Sequence, residues 1–155
     1  MPSTSSLVSS APADVLWAAV TDVAGHGRHV PLTTVVTAPG EPHPGWRFTA
    51  YTGARPVAMA DHMAVTVWQP PHRVRIVKLG PVLLGWADIT VEPFGDDGGS
   101  RVTWTEEITV AGLGTLTRRL GDVGAQAMVG RALAGLVADA ETLSRTGGPT
   151  PGGAR

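Results

Sequence analysis

The sequence predicts an α+β domain in which a curved antiparallel sheet of about seven strands wraps around one long C-terminal helix. From Thr115 to Arg145 apolar residues recur at helical spacing, and no other segment has this length or period. From Thr33 to Val110 the chain instead shows short extended segments joined by tight turns, which is typical of an antiparallel meander. A single amphipathic helix after such a meander must bury its apolar side against the sheet.

The elements follow in a simple order. We predict a short first strand within residues 1–10, a helix that begins near Pro12, and a weak second helix or turn over residues 22–31. Six further strands are predicted at residues 33–38, 46–52, 57–69, 73–79, 82–94 and 101–110.

The third of these six strands has a predicted alternation of faces. It places Met63, Val65 and Val67 on one face of the sheet. The opposite face is predicted to carry His62, Ala64, Thr66 and Trp68. We expect one domain over residues 1–145 and a flexible tail rich in Gly and Pro over residues 146–155.

Composition excludes several classes of function. A chain of 155 residues is one ordinary domain, and 43% hydrophobic residues suffice for a large core. The formal net charge of -1 gives no basic face for nucleic acid. The chain has no Cys, which excludes disulfides, thiolate zinc sites and Cys nucleophiles. No signal peptide or apolar run of membrane-spanning length is evident, so we expect a cytoplasmic protein without a membrane span.

The basic residues are strongly biased towards Arg, with Lys78 as the only lysine. Together with many Ala, Gly, Val and Pro residues, this bias is typical of a GC-rich genome, and we expect a bacterial source.

Three stretches resemble the SRPBCC, or START/Bet v 1-like, superfamily. They are residues 10–22 (SAPADVLWAAVTD), 61–75 (DHMAVTVWQPPHRVR) and 98–105 (GGSRVTWT). The resemblance covers nearly the whole chain except the tail. It implies the helix-grip fold, with a deep apolar cavity between a curved sheet and the C-terminal helix. Members of the superfamily include polyketide cyclases and aromatases, lipid-transfer proteins and ligand carriers, so the resemblance implies a fold more than a chemistry.

Candidate ligand-binding residues are aromatic, polar and apolar side chains of the predicted strands and of the long helix. Trp is common in ligand pockets, and Arg or Tyr could bind carbonyl and hydroxyl groups. The alternatives are core packing for Trp and exposed sheet charges for Arg, since a shift of one residue in register reverses every facing. The predicted set is Trp46, Arg47, Tyr51, Met63, Arg75, Trp86, Trp104, Leu116 and Leu120.

No catalytic constellation is recognisable, so we assign no catalytic residue. Asp61, His62 and Asp88 could form an acid–base group, but no Ser, Cys or second His completes it. Glu106 and Glu107 are neighbours on a strand and therefore face opposite ways, which excludes a glycosidase-like carboxylate pair.

Metal and dinucleotide sites are not expected. His26 and His29 have a spacing that only a helical turn would bring together, and Gly27 between them disfavours such a turn. His43 lies far along the chain, and a lone Gly25-x-Gly27 lacks the rest of a dinucleotide fingerprint. We therefore expect no metal and no cofactor.

The long helix contains Gly121, Gly124, Gly130 and Gly135. Each glycine costs a helix interior roughly 0.5–1 kcal/mol relative to Ala, so something should offset them. Close packing against the sheet, room for a ligand and a kinked or frayed helix start are all open explanations.

These observations favour a carrier or sensor that binds a small hydrophobic or amphipathic molecule inside the domain. The first alternative is a cyclase or aromatase that positions a poly-ketone chain and assists by acid–base chemistry. The second is an accessory protein that acts through a surface partner. We expect the loop from Pro39 to Gly45 and the turn Gly80-Pro81 to form the cavity rim, and a monomer or a homodimer fits the sequence.

Overall fold

The computed structural model describes residues 2–54, 58–112 and 115–147, and for residues 115–126 it describes the course of the helix without the side chains. Within this part of the chain no helix is both long and apolar enough to cross a bilayer. The described elements are β1 (Ser3–Ser9), α1 (Ala13–Thr21), a short 3-10 helix (Gly25–Arg28), β2 (Thr33–Thr37), β3 (Arg47–Thr52), β4 (Met59–Gln69), β5 (Arg73–Leu79), β6 (Leu83–Phe94), β7 (Gly99–Val110) and α2 (Thr115–Thr146).

The seven described strands form one antiparallel sheet in the order β1-β7-β6-β5-β4-β3-β2. Strands β2 to β7 follow each other as hairpins, and β1 returns to pair with β7 along its whole length. This is the helix-grip arrangement that the sequence predicts, with the long C-terminal helix and the short helices after β1. The predicted fold class is confirmed.

The core lies between one face of this sheet and the two helices. Ile76, Ile89 and Val102 on β5, β6 and β7 belong to one buried apolar cluster with Leu16 of α1 and Leu133 of α2. We call the sheet face that carries these strand residues the inner face, and the opposite one the outer face. Because side chains alternate along a strand, each position on β1 to β7 can be assigned to one of the two faces.

Two polar contacts fix the C-terminal half of α2 against the preceding elements. The Asp139 carboxylate lies 2.8 Å from Nε2 of His29, just after the 3-10 helix. The Glu141 carboxylate accepts a hydrogen bond of 2.9 Å from the backbone N–H of Ser10, after β1. These contacts set the position of α2 along the sheet.

Close packing explains one of the helix glycines. A Cβ on Gly135 would collide with the His29 ring, so this glycine lets His29 approach α2. The packing partner is the segment after α1 and not the sheet. Gly130 has open space around it, so packing does not account for that position. Gly121 and Gly124 belong to the part of α2 whose side chains are not described, and residues 148–155 of the predicted tail lie outside the described residues.

Strand β4 departs from the predicted alternation. Its register with β5 skips between Val65, which pairs with Ile76, and Val67, which pairs with Arg75. This β-bulge reverses the facing of every later residue on the strand. Trp68 therefore lies on the inner face, where its ring centroid is 5.3 Å from that of Trp17. The prediction that Val67 shares a face with Met63 and that Trp68 opposes it is wrong.

Candidate functional site

The inner face of the sheet divides into two zones. Under α1 and the C-terminal half of α2, side chains such as Val65 and Ile89 are completely buried. In the second zone Met63 on β4 and Trp104 on β7 are only partly buried, although both point inwards. Three polar side chains of this zone share the inner face with them: Asp61 on β4, Lys78 on β5 and Glu106 on β7. We call Asp61, Lys78 and Glu106 the interior polar cluster.

Asp61 and Lys78 form a buried ion pair. The Lys78 ammonium donates a hydrogen bond to Oδ2 of Asp61 and lies 3.7 Å from the Met63 sulfur. The Asp61 and Lys78 side chains are only 9% and 12% exposed, respectively. Among the described residues no donor reaches the second carboxylate oxygen, Oδ1 of Asp61. Asp61 therefore has a partner at Oδ2 and none among the described residues at Oδ1.

Glu106 is the third member of the interior polar cluster and lies on β7, across β6 from Lys78. Its residue surface is 6% exposed, and its Oε2 accepts a hydrogen bond of 3.1 Å from the indole N–H of Trp104. Burial raises the pKa of the Glu106 carboxyl, while the Trp104 hydrogen bond and the Lys78 charge oppose that rise. The protonated form of Glu106 therefore persists to higher pH than in a solvated glutamate.

Small residues separate Lys78 from Glu106. The strand between them, β6, presents Gly85 and Ala87 on its inner face. Gly85 has a φ of +134°, and a Cβ there would collide with the Glu107 carbonyl oxygen, so no larger residue fits. The sheet therefore presents little side-chain bulk between Lys78 and Glu106.

His26 closes one side of the zone. Its Nε2 lies 3.0 Å from the Val20 carbonyl oxygen, and its ring centroid is 6.5 Å from that of Trp104. Burial lowers the pKa of His26, and the Val20 carbonyl offsets only part of that effect. His29 instead contacts Asp139, so the two histidines serve separate contacts. Within the described chain no three His, Cys, Asp or Glu side chains gather as metal ligands.

The structure places part of the predicted ligand-binding set inside the domain. Met63 and Trp104 face the second zone. Trp46 is 6% exposed and packs on Phe48 at 5.7 Å between ring centroids. It lines a cavity of about 10 Å³ with Val65 and Trp68, which has room for about one water molecule but no larger ligand. Leu116 and Leu120 belong to the stretch of α2 whose side chains lie outside the described residues.

The other predicted strand residues lie on the outer face. Arg47 and Tyr51 alternate with the buried Phe48 on β3 and are exposed. Arg75 lies over the Trp86 ring, 4.4 Å from its centroid, and also contacts Asp88 at 3.3 Å. These four side chains, Arg47, Tyr51, Arg75 and Trp86, are therefore separated by the sheet from Met63 and Trp104.

The residues of the possible acid–base group do not come together. His62 contacts Thr49 on the outer face, at 3.0 Å. Asp88 also lies outside, where the hydrogen bonds donated by Arg73 lower the pKa of its carboxyl. Only Asp61 faces inwards. Lys78 and Glu106 were not among the predicted site residues, although each shares a strand parity with buried apolar neighbours.

Glu106→Gln is expected to change how stability depends on pH. The pKa of Glu106 is higher in the folded chain than its ordinary value of 4.5, so the wild type loses stability as the pH rises from 4.5 through the folded pKa. Glutamine keeps an acceptor for Trp104 and does not titrate. The unfolding free energy of the variant minus that of the wild type, measured by urea denaturation, should therefore increase as the pH rises from 4 to 7.

The same substitution at Glu92, whose side chain is 60% exposed on the outer face of β6, controls for the loss of one negative charge. If the advantage of Glu106→Gln instead shrinks as the pH rises, the proposed burial of the carboxyl is contradicted.

Comparison with known proteins finds a matching family and similar solved structures. Residues 3–142 match the family described as polyketide cyclase / dehydrase and lipid transport. No curated protein matches. Among solved structures, the Zhui aromatase/cyclase from Streptomyces sp. R1128 is similar with a TM-score of 0.78 and 15% identity, over 96% of this chain and 99% of that one.

Two further solved structures share the fold. TTHA0849 from Thermus thermophilus has a TM-score of 0.76 and 18% identity, over 93% of this chain and 99% of that one. Ara h 8.0201 has a TM-score of 0.64 and 15% identity, over 90% and 98%. Because these identities are low, the likeness to each structure concerns the fold alone. The family match covers nearly the whole chain, and the protein therefore belongs to the polyketide cyclase/dehydrase and lipid-transport family of the SRPBCC superfamily.

Proposed function

We propose that the protein binds a small, largely apolar molecule with a polar end, in the interior between the sheet and α2. One observation carries this proposal. On the inner face, the apolar side chains of Met63 and Trp104 are partly exposed directly beside a buried polar cluster. A concave apolar surface with a few convergent polar groups is the usual form of a small-molecule site.

The family supports a ligand of this kind. Its description joins polyketide cyclisation or dehydration with lipid transport, and both concern small hydrophobic molecules. We propose that Met63 and Trp104 contact the apolar part of the ligand. The cysteine-free chain suits the reducing cytoplasm, where we propose that it acts.

A cyclase- or aromatase-type enzyme is the second candidate. The interior polar cluster favours it, because a plain carrier needs few polar groups away from the cavity mouth. Glu106 could donate a proton within the interior, since burial raises the pKa of its carboxyl. Incubation with a poly-ketone substrate analogue, followed by mass spectrometry of the products, would separate the two candidates by the presence or absence of turnover.

Two adjacent residues of β4 allow a sharp test of interior binding. We expect saturable binding of the uncharged fluorophore 1-aminoanthracene to the wild type, measured by fluorescence titration. Met63→Trp should weaken this binding at least tenfold, since the larger ring would fill the second zone of the inner face. His62→Trp adds an indole to the outer face of the same strand and should leave the affinity unchanged. Absent binding, or equal effects of the two variants, would contradict the proposal.

A further inference from the structure

We infer that the polar end of the ligand is a hydroxyl group, alcoholic, phenolic or enolic, which donates a hydrogen bond to Oδ1 of Asp61 and accepts one from the Lys78 ammonium. This inference rests on the proposed function and names the chemical class of its ligand.

One carboxylate oxygen of Asp61 has no hydrogen-bond donor among the described residues. The residue is 7% exposed, and its Oδ2 is occupied by Lys78. No described residue donates to Oδ1, which is itself buried. A buried carboxylate oxygen without a donor is costly, and such groups in native proteins normally have a partner. Asp61 shares its strand parity with Met63, so the free oxygen belongs to the same inner zone. The missing partner is thus a donor that enters this zone.

The Lys78 ammonium offers a complementary donor to the same ligand group. An ammonium group has three N–H donors. Two of them are accounted for by Oδ2 of Asp61 and the Met63 sulfur. No other described residue accepts a hydrogen bond from Lys78, so its third donor can serve an oxygen beside Asp61. A hydroxyl group both donates and accepts, so one hydroxyl can serve Asp61 and Lys78 together. A ketone or a carboxylate can only accept, and would leave Oδ1 of Asp61 unpaired.

The charge balance of the interior polar cluster also favours a neutral ligand group. The interior polar cluster sets two carboxyl groups, Asp61 and Glu106, against the single ammonium of Lys78. His26, the neighbouring imidazole beside Trp104, has a lowered pKa because of burial and adds no charge near neutral pH. The Lys78 charge is already balanced by Asp61, so a carboxylate ligand such as a fatty acid would meet no unpaired positive charge among the described groups, whether or not Glu106 is ionised. A neutral hydroxyl needs no such charge.

Three naphthalenes that differ only in their substituent test the inference: 2-naphthol, 2-methylnaphthalene and 2-naphthoate. Binding to the wild type is measured by isothermal titration calorimetry at pH 7. We expect 2-naphthol to bind at least tenfold more tightly than either of the other two, as one hydrogen bond to a charged group provides. This comparison needs no variant and so does not depend on any mutant folding.

The double variant Asp61→Val/Lys78→Met then assigns the preference to these residues. It removes both charges together, so neither is left buried alone. It should bind 2-methylnaphthalene at least as tightly as the wild type does, which also reports that it has folded, and it should lose the tenfold preference for 2-naphthol. Asp88→Asn, which alters a carboxylate on the outer face, should retain that preference.

The possible outcomes of these titrations overturn different parts of the proposal. Equal binding of 2-naphthol and 2-methylnaphthalene to the wild type would overturn the hydroxyl inference and leave the proposed function standing. Tightest binding of 2-naphthoate would overturn it in favour of an anion site at Lys78. Failure of all three to bind would overturn both the inference and the proposed function. A double variant that keeps the preference would overturn the assignment to Asp61 and Lys78, because another residue would then provide it.

Discussion

Lys78→Met is expected to lower the free energy of unfolding by about 3–5 kcal/mol, because it leaves the buried Asp61 carboxylate without its partner. The methionine side chain resembles the lysine stem in length, so little packing should change. The loss is a large share of the ~5–15 kcal/mol that stabilises an ordinary domain. Urea denaturation at pH 7, followed by tryptophan fluorescence, measures it.

Two controls distinguish the buried charge from other effects of this substitution. The double variant Asp61→Val/Lys78→Met should recover most of the lost stability, because it removes the orphaned carboxylate as well. Arg73→Met, on the outer face of the same strand, should cost less than Lys78→Met, since its partner Asp88 keeps a second cation, Arg75, at 3.3 Å. A loss of under about 1 kcal/mol for Lys78→Met would mean that Asp61 is not held in a water-poor interior.

Leu133→Ala is expected to cost about 2–5 kcal/mol of unfolding free energy. Leu133 is 0% exposed in α2 and belongs to the core cluster with Leu16 and Val20 of α1. Truncation removes apolar contacts and leaves a cavity that two packed helices cannot close easily. Helix propensity does not explain any loss, because Ala is the better helix former. Chemical denaturation of both proteins measures the difference.

Leu143→Ala on the same helix is the matched control. Leu143 is 52% exposed, so its truncation should change the stability by no more than about 0.5 kcal/mol. Similar losses for the two variants would contradict the observed docking of α2, in which Leu133 lies in the core and Leu143 faces solvent.

The order of the elements was predictable from sequence because each one has a local signal. The apolar period that begins at Thr115 matches α2, which ends at Thr146, and the turns rich in Gly and Pro separate strands at the predicted places. The facing of Trp68 was not predictable, since the bulge after Val65 depends on pairing with β5 and leaves no distinctive residue in the sequence.

The site was harder to predict because residue type was given more weight than strand parity. On β6 Trp86 alternates with the buried Ala87 and Ile89, and this pattern places the indole on the outer face. Conversely, Lys78 has the parity of Val74 and Ile76, which marks it as a polar residue that points inwards. Parity could therefore have found Lys78. The open oxygen of Asp61 could not have been found, because it depends on where Lys78 reaches in three dimensions.

Native mass spectrometry of the purified protein tests the central claim, interior binding of a small molecule, most directly. The denatured mass serves as the control. We predict a native species heavier than the bare chain by one small apolar molecule, which is lost on denaturation and reduced in Met63→Trp but not in His62→Trp. Equal native and denatured masses, together with no thermal shift across fatty acids, long-chain alcohols, sterols and aromatic polyketides, would contradict the claim.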